Sequence, residues 1–253
     1  MQAHTHRQIV SQEATTRVSR ALGAAAAMAG EKAVKVYGWA ISPFVSRVLL
    51  CLEEAGVEYE LVAMSRAAGD HRRPEHLARN PFGKVPVLED GDLTLFESRA
   101  IARHVLRKYK PELLREGDLE ESAMVDVWLE VEAHQFQPVV GPIIVECVFS
   151  PFLGRARNQA VVDENVEKLR KVLEVYEARL ARSRCLAGDF LSLADLSHFT
   201  AMHCFMATEY ASLVEERFPR VKAWWEELAA RPAARKVAAF MPVGRFAPSK
   251  KDE

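Results

Sequence analysis

The chain has 253 residues, of which 49% are hydrophobic and 27% charged, and its 34 basic and 35 acidic side chains leave a formal net charge of -1. These proportions are typical of a globular protein with a sizeable core and exclude a chain that stays unfolded. Because there is no basic excess, we expect no nucleic-acid partner. No apolar run approaches the roughly 20 residues that cross a bilayer, so we expect no membrane association.

The cysteines do not form a metal or redox motif. They are far apart and include no Cys-x-x-Cys pair, which argues against a disulfide scaffold, a zinc knuckle and a dithiol redox centre. We therefore expect a reducing compartment and no metal. The four cysteines are Cys51, Cys147, Cys185 and Cys204.

Residues 1–31 differ in composition from the rest of the chain. Residues 1–30 contain three arginines and a single acid, Glu13, together with serines, threonines and a run of alanines. This composition is typical of an organellar transit peptide, and residues 1–27 could then direct the protein to a plastid or mitochondrion. The alternatives are a disordered extension or a functional chain that begins at Met28, and with either the expected location is the cytoplasm.

From residue 32 onward, short strands alternate with helices. Runs of apolar residues indicate the strands, the helical period indicates the helices, and Gly91 marks a hairpin turn because glycine tolerates a positive φ. The predicted elements are strands at 34–37, 59–62, 85–88 and 93–96 and helices at 45–54 and 98–109. Their order predicts a thioredoxin-like α/β domain over residues 32–113.

The helical period dominates the second half of the chain, after a charged linker near residues 110–120. It predicts an all-α helical bundle over residues 120–245. Ser192 and Asp195 have the spacing of a helix capping box, which we interpret as structural. The histidines in this half lack metal-ligand spacing and are interpreted as structural: His134, His198 and His203.

Ser42 is the most informative polar residue of the first half. It follows the first predicted strand and precedes Pro43, and proline is favoured at the first position of a helix. Ser42 is therefore expected at a helix N-terminus, where unpaired N–H groups and the helix dipole favour an anion. The alternative is that Ser42 only caps the helix, and position alone does not decide between the two.

A set of motifs resembles the soluble glutathione transferases, most closely the plant phi class. The motifs are NPFGKVP at 80–86, EDGDL at 89–93, LFESRAI at 95–101, GDHR at 69–72, LAGD at 186–189 and VKAWW at 221–225. The resemblance extends from about residue 34 to residue 242. It implies a thioredoxin-like domain followed by an all-α domain, glutathione as co-substrate, and a homodimer.

The resemblance also implies which residues bind glutathione. A cis Val85-Pro86 bond would leave the Val85 backbone free to pair with the cysteinyl residue of glutathione; an ordinary trans proline at a strand start is the alternative. Glu97 and Ser98 would bind the ammonium and carboxylate of the γ-glutamyl group, although Ser98 could also only cap its helix.

The glycyl carboxylate would meet His71, Arg72 and Lys84, for which a charged surface loop is the alternative. Lys84 stands where the class often has glutamine, and Arg72 stands where it often has lysine. Both side chains still donate hydrogen bonds to a carboxylate, so we expect glycine-end binding to survive.

The resemblance assigns the catalytic role to Ser42, whose hydroxyl would donate a hydrogen bond to the glutathione thiolate. Some relatives carry a cysteine at this position that forms mixed disulfides, and serine cannot do so. Conjugation to small hydrophobic electrophiles is therefore expected, with reduction of organic hydroperoxides as a further activity. The apolar residues expected at the electrophile site, each of which could instead belong to the core, are Ile41, Phe44, Val140, Ile144 and Phe149.

Two other functions remain open at this stage. The same cleft could carry flavonoid-like or auxin-like ligands without catalysis, or the fold could serve as an interaction module. The intact set of Ser42, Val85-Pro86 and Glu97-Ser98 favours catalysis, because a scaffold does not need it.

Overall fold

The computed structural model describes residues 33–241 and residue 243. The prediction of a transit peptide falls on residues outside this range. Among the described residues, no helix combines the length and the apolar character needed to cross a membrane.

A four-stranded mixed sheet forms the centre of the first half. Its strands are β1 (Val34–Gly38), β2 (Tyr59–Ala63), β3 (Val87–Asp90) and β4 (Leu93–Phe96), in the order β2-β1-β3-β4. β1 is parallel to β2 and antiparallel to β3, and β3 and β4 form an antiparallel hairpin. This arrangement confirms the thioredoxin-like prediction. β3 begins two residues later than predicted, because Pro86 has no N–H to donate to a strand ladder.

The helices of the first half are α1 (Pro43–Ala55), α2 (Pro74–Arg79) and α3 (Ser98–Tyr109), with a 3-10 turn at Asp70–Arg72. α1 begins at its proline and ends at Gly56, which has a left-handed φ of 67°. α1 packs against α3 in its own half and against two helices of the second half. It is therefore the element that joins the two halves.

The described residues of the second half form helices joined by turns and loops, with no strand among them, as predicted. A nearly continuous helical stretch combines α4 (Leu119–Val131), α5 (Gln137–Ile144) and α6 (Ser150–Phe152) with π-helical segments at Glu132–Phe136 and Val145–Phe149. The remaining helices are α7 (Gln159–Leu180), α8 (Leu193–Met206), α9 (Ser212–Arg217), α10 (Pro219–Ala230) and α11 (Pro232–Phe240), with 3-10 turns at Pro111–Leu113 and Glu209–Ala211.

The predicted capping box at the start of α8 is confirmed. The Ser192 hydroxyl accepts from the amide of Ala194, and the Asp195 carboxylate accepts from the amide of Ser192. Asp195 also accepts from the Trp224 indole at 3.0 Å, so the box ties α8 to α10. Its role is structural, as the sequence indicated.

One continuous apolar core runs through both halves. α8 and α11 pack directly on α1, and a bidentate ion pair between Glu54 at the end of α1 and Arg231 before α11 closes the edge of this contact at 2.6 and 2.7 Å. The start of α1 consequently has a fixed orientation toward both halves.

Candidate active site

Ser42 occupies the N-cap position of α1, but its side chain does not cap the helix. Its backbone adopts an extended conformation, its N–H donates to the Trp39 carbonyl at 3.0 Å, and its C=O accepts the first helical bond from Ser46. The hydroxyl makes no hydrogen bond to any described residue, although Ser42 is 93% buried. The reading of Ser42 as an ordinary cap is therefore not supported, and its hydroxyl is available to a ligand.

The Val85-Pro86 peptide bond is cis, as the resemblance implied. Val85 lies close to the end of β1, where a Cβ built on Gly38 would be 3.4 Å from the Cβ of Val85 and 2.6 Å from a methyl group of Val45. Only glycine fits at position 38, because any side chain there would overlap α1. This close approach places the Val85 backbone beside the loop that leads from Gly38 to Ser42.

Ser98 is the first residue of α3, and its hydroxyl accepts a hydrogen bond from Arg47 Nη1 at 2.8 Å. The N-cap residue is Glu97, so the alternative that Ser98 caps its own helix is not supported. Because Ser98 accepts from Arg47 through a lone pair of its oxygen, its hydroxyl hydrogen is free to point elsewhere. Ser98 can therefore donate to a carboxylate while Arg47 holds it in place.

Glu97 is exposed, and its backbone adopts a φ of 71°, a region that residues other than glycine rarely occupy. Such a residue costs about 1–3 kcal/mol and is often found at functional sites. Its carboxylate makes no hydrogen bond or ion pair with the described residues. It stands at the corner between β4 and α3, directly before Ser98, where it can meet a cation.

His71, Arg72 and Lys84 lie on the two loops beyond the Ser42 loop. The His71 ring meets the Trp39 ring edge-on at 5.7 Å, and its Nδ1 is buried without a partner among the described residues. Burial lowers the pKa of His71, and neighbouring Arg72 lowers it further, so the ring is mostly neutral near pH 7. Arg72 and Lys84 are exposed and make no side-chain ion pair within the described part of the chain.

A buried charge network lies behind Ser98, and sequence reasoning missed it. Arg47 and Glu132 are both fully buried and pair at 2.7 Å; Arg47 also donates to the Ser197 carbonyl, and Glu132 accepts from Arg99 at 2.5 Å. Arg47 belongs to the first half of the chain, whereas Glu132 opens a π-helical segment of the second. The network therefore links the two halves directly beneath the predicted γ-glutamyl site.

Comparisons with known proteins agree with this geometry. Residues 32–107 match the family model described as glutathione S-transferase, N-terminal domain, and residues 136–232 match glutathione S-transferase, C-terminal domain. The chain belongs to the glutathione S-transferase family. Ser42, Val85, Pro86, Glu97 and Ser98 all fall within the first match.

Plant members of the family are highly similar over almost their whole length. The chain is 79% identical to glutathione S-transferase 4 of Zea mays over 220 residues, which are 87% of this chain and 98% of that protein. It is 58% identical to the probable glutathione S-transferase GSTF1 of Oryza sativa subsp. japonica, over 82% of this chain and 96% of that protein. These relatives confirm the phi-class prediction.

A solved structure of glutathione S-transferase I from maize, in complex with an atrazine glutathione conjugate, superimposes with a TM-score of 0.80 at 56% identity. The match covers 83% of this chain and 99% of that one. The arrangement of a small mixed-sheet domain followed by a helical domain is thus the glutathione S-transferase fold.

The residues predicted for the electrophile site of this glutathione S-transferase fall into two groups. Phe44 is 39% exposed, and Ile41 and Phe149 are half-buried, so all three retain surface for a ligand. Val140 is fully buried and Ile144 nearly so, within the apolar core. A side chain without exposed surface cannot touch a ligand unless its neighbours move, so the assignment of Val140 and Ile144 to the pocket is not supported.

Each of the three histidines predicted to be structural in the second half has a hydrogen-bond or ion-pair partner. His198 is buried between the Ala194 carbonyl and the Tyr176 hydroxyl, His203 contacts the Met241 carbonyl, and exposed His134 pairs with Glu130. Among the described residues, no group of three or more His, Cys, Asp or Glu side chains could hold a metal ion. Cys51, nine residues after Ser42, is fully buried in the core.

Proposed function

We propose that this chain is a glutathione transferase that joins the glutathione thiolate to small hydrophobic electrophiles. The observation that carries the proposal is the Ser42 hydroxyl, which belongs to a residue with only 7% of its surface exposed at the start of α1 and has no partner among the described residues. A noncatalytic carrier or a scaffold is not favoured, because neither has a use for this hydroxyl and highly similar relatives are named glutathione S-transferases.

The energetic requirement of the reaction is modest. A free thiol has a pKa of about 8.5, and lowering it by two units needs about 2.7 kcal/mol of preferential thiolate stabilisation. A hydrogen bond to a charged group contributes about 1.5–3 kcal/mol, and a helix N-terminus about 0.3–2 kcal/mol. Ser42 and the first turn of α1 supply both, so no general base is required.

The tripeptide is held along its length by the residues around Ser42. The free backbone of Val85 pairs with the cysteinyl residue, and Ser98 and Glu97 take the carboxylate and ammonium of the γ-glutamyl group. His71, Arg72 and Lys84 receive the glycyl carboxylate. His71 does so as a neutral donor, which its lowered pKa supports.

With the sulfur ionised, the reaction with an aryl chloride is a displacement. The thiolate forms a carbon–sulfur bond, the carbon–chlorine bond breaks, and chloride leaves with the electron pair, while the thiol proton has already passed to solvent. Ile41, Phe44 and Phe149 offer apolar surface for the ring. The maize relative seen with an atrazine glutathione conjugate supports substrates of this kind, and reduction of organic hydroperoxides by the same thiolate is part of the proposal.

The test is a spectrophotometric assay with glutathione and chlorodinitrobenzene on the wild type, Ser42→Ala and Thr200→Val. The control removes the hydroxyl of Thr200 in α8, which is fully buried and has no hydrogen-bond partner among the described residues. We expect kcat of Ser42→Ala to fall roughly tenfold to a hundredfold, with the KM for glutathione changed less than about threefold. Its pH profile should shift to higher pH. Equal rates in wild type and Ser42→Ala would remove the hydroxyl from the mechanism.

A homodimer is part of the proposal. Phe82 is 67% exposed and touches the ring of Phe96 edge-on at 6.1 Å, and exposed Leu77 lies against Gly83, the next residue in the chain. An exposed aromatic of this size amid apolar neighbours is typical of an interface. We propose that it packs against the helical half of a second copy.

For the location in the cell we propose the cytoplasm, with a plastid or mitochondrion as the alternative if residues 1–27 act as a transit peptide. Fluorescent fusions of the full chain and of a chain starting at Met28 decide between them. Organellar signal that disappears with the shorter chain would support the transit peptide, and the same diffuse signal from both would support the cytoplasm.

A further inference from the structure

A buried histidine lies directly behind the loop that carries Val85. His76, in α2, is 97% buried, and its Nε2 lies 2.9 Å from the carbonyl oxygen of Lys84. The Asn80 side-chain amide donates to the same oxygen at 2.9 Å, and the Asn80 Oδ1 accepts from the amide of Phe82. The Lys84 carbonyl is thus held by two side-chain donors from below the loop.

The hydrogen-bond partners determine the tautomer of His76. A carbonyl oxygen only accepts, so Nε2 carries the hydrogen and donates it. Nδ1 is buried and has no partner among the described residues. Among the described residues, the His76 ring therefore makes a single hydrogen bond, to the Lys84 carbonyl.

The geometry of the peptide group transmits this contact to the glutathione site. The carbonyl of Lys84 and the N–H of Val85 belong to one planar trans peptide, in which the two bonds point in opposite directions. Holding the carbonyl toward α2 therefore turns the Val85 N–H away from α2. That N–H has no hydrogen-bond partner in the described part of the chain, and Val85 itself lies against Gly38, where the Ser42 loop begins.

The loop has little freedom to adopt another orientation. Gly83 has a φ of 59°, its N–H donates to the Asn80 carbonyl at 2.9 Å, and a Cβ at this position would be 3.1 Å from the His71 carbonyl. The loop is therefore packed against the 3-10 turn and α2. Within this packing, the hydrogen bonds to the Lys84 carbonyl determine which way the Lys84-Val85 peptide plane faces.

We propose that His76 is a positioning residue for glutathione: it orients the Lys84-Val85 peptide so that the Val85 N–H meets the cysteinyl carbonyl of the tripeptide. His76 itself touches neither glutathione nor the electrophile. The inference rests on the proposed function, in which the Val85 N–H binds glutathione, and explains how that N–H is oriented.

The test compares His76→Gln, whose side-chain amide reaches the Lys84 carbonyl, with His76→Asn and His76→Phe, which do not supply this donor. The control is His104→Phe, which removes another histidine hydrogen bond in the same half of the chain, from His104 Nε2 to Asp90 at 2.9 Å. Each full-length protein is assayed with chlorodinitrobenzene at varied glutathione, and the Kd of glutathione alone is measured by calorimetry.

We expect His76→Asn and His76→Phe to raise both the KM and the Kd for glutathione about fivefold to tenfold, with kcat within about twofold of wild type. His76→Gln and His104→Phe should stay within about twofold in all three constants. If His76→Phe does not fold, the pair of Gln and Asn variants decides the question alone.

Equal glutathione affinity in the Gln and Asn variants would overturn the inference, as would a loss that falls on kcat. Neither result would touch the proposed function, because the wild type would still bind and conjugate glutathione. A wild type that does not bind glutathione at all would instead refute the proposed function.

Discussion

Replacing Glu132 by glutamine keeps the shape of the side chain but removes the negative charge that Arg47 and Arg99 share. Arg47 has no exposed surface and would become a buried cation without a counter-charge. Burial already lowers the pKa of Arg47, and the Glu132 carboxylate is what opposes that effect. The variant therefore tests whether the charge itself, and not only its hydrogen bonds, holds the two halves of the chain together.

The loss of unfolding free energy expected for Glu132→Gln follows from the burial of the Arg47–Glu132 pair. Removing one partner of a buried ion pair costs about 3–5 kcal/mol, because the remaining charge stays desolvated. The Arg99 side chain is 31% exposed, so solvent screens its charge and its loss of an ion pair adds little. The cost of about 3–5 kcal/mol is therefore assigned to Arg47. For a chain of this size each kcal/mol lowers Tm by about 2–4 °C, so Glu132→Gln should lose roughly 10 °C.

The assay is urea unfolding followed by tryptophan fluorescence, with thermal unfolding beside it. The double variant Arg47→Met with Glu132→Leu removes both charges and should recover part of the lost stability. It should still bind glutathione more weakly, because Ser98 loses the donor that holds its hydroxyl. A free energy of unfolding for Glu132→Gln within about 1 kcal/mol of wild type would refute the reasoning, since an uncompensated buried charge should destabilise the fold by more than that.

Two further predictions concern acid stability and assembly. Burial lowers the pKa of His198 to about 4, below its unfolded value of about 6.5, so only the unfolded chain takes up this proton between those values and stability should fall by up to about 3 kcal/mol as pH drops from 6.5 to 4. Urea midpoints between pH 7.5 and pH 4.5 measure this, and a slope that His198→Gln leaves as steep would exclude His198 as its source. Phe82→Ser should shift the protein from dimer to monomer in sedimentation velocity at micromolar concentration, with Phe44→Ser, another exposed phenylalanine, as the control that stays dimeric; a dimer that survives Phe82→Ser would place the interface elsewhere.

Four strands and two of the three helices of the first half were predictable because they depend on local signals, whereas α2 (Pro74–Arg79) was not predicted. Alternation of apolar residues, Pro43 at the start of α1, and Gly91 in the hairpin act within a few residues, and the observed elements agree with the predictions to within two residues at most of their ends. The capping box of Ser192 and Asp195 is equally local. The family resemblance added the cis Val85-Pro86 bond, which composition and periodicity do not indicate.

Position in the sequence could not show what the side chains at the site do. Ser42 and Ser98 both stand at the start of a predicted helix, where a serine commonly acts as a cap, yet Ser42 makes no capping hydrogen bond and the N-cap of α3 is Glu97. Val140 and Ile144 have the spacing of an apolar helix face, and such a face looks the same whether it lines a pocket or joins the core.

Sequence alone determined the fold class, the family motifs and the presence of Ser42 before a helix, because periodicity, turn chemistry and motif order are all written in neighbouring residues. Only the tertiary structure decided that Arg47 meets Glu132 across 85 positions of sequence, and that His76 and Asn80 converge on the Lys84 carbonyl. The physical reason is that a hydrogen bond depends on direction and burial. These are properties of the packed chain, and they exist only once α1, α2 and the π-helical segment at Glu132 have come together.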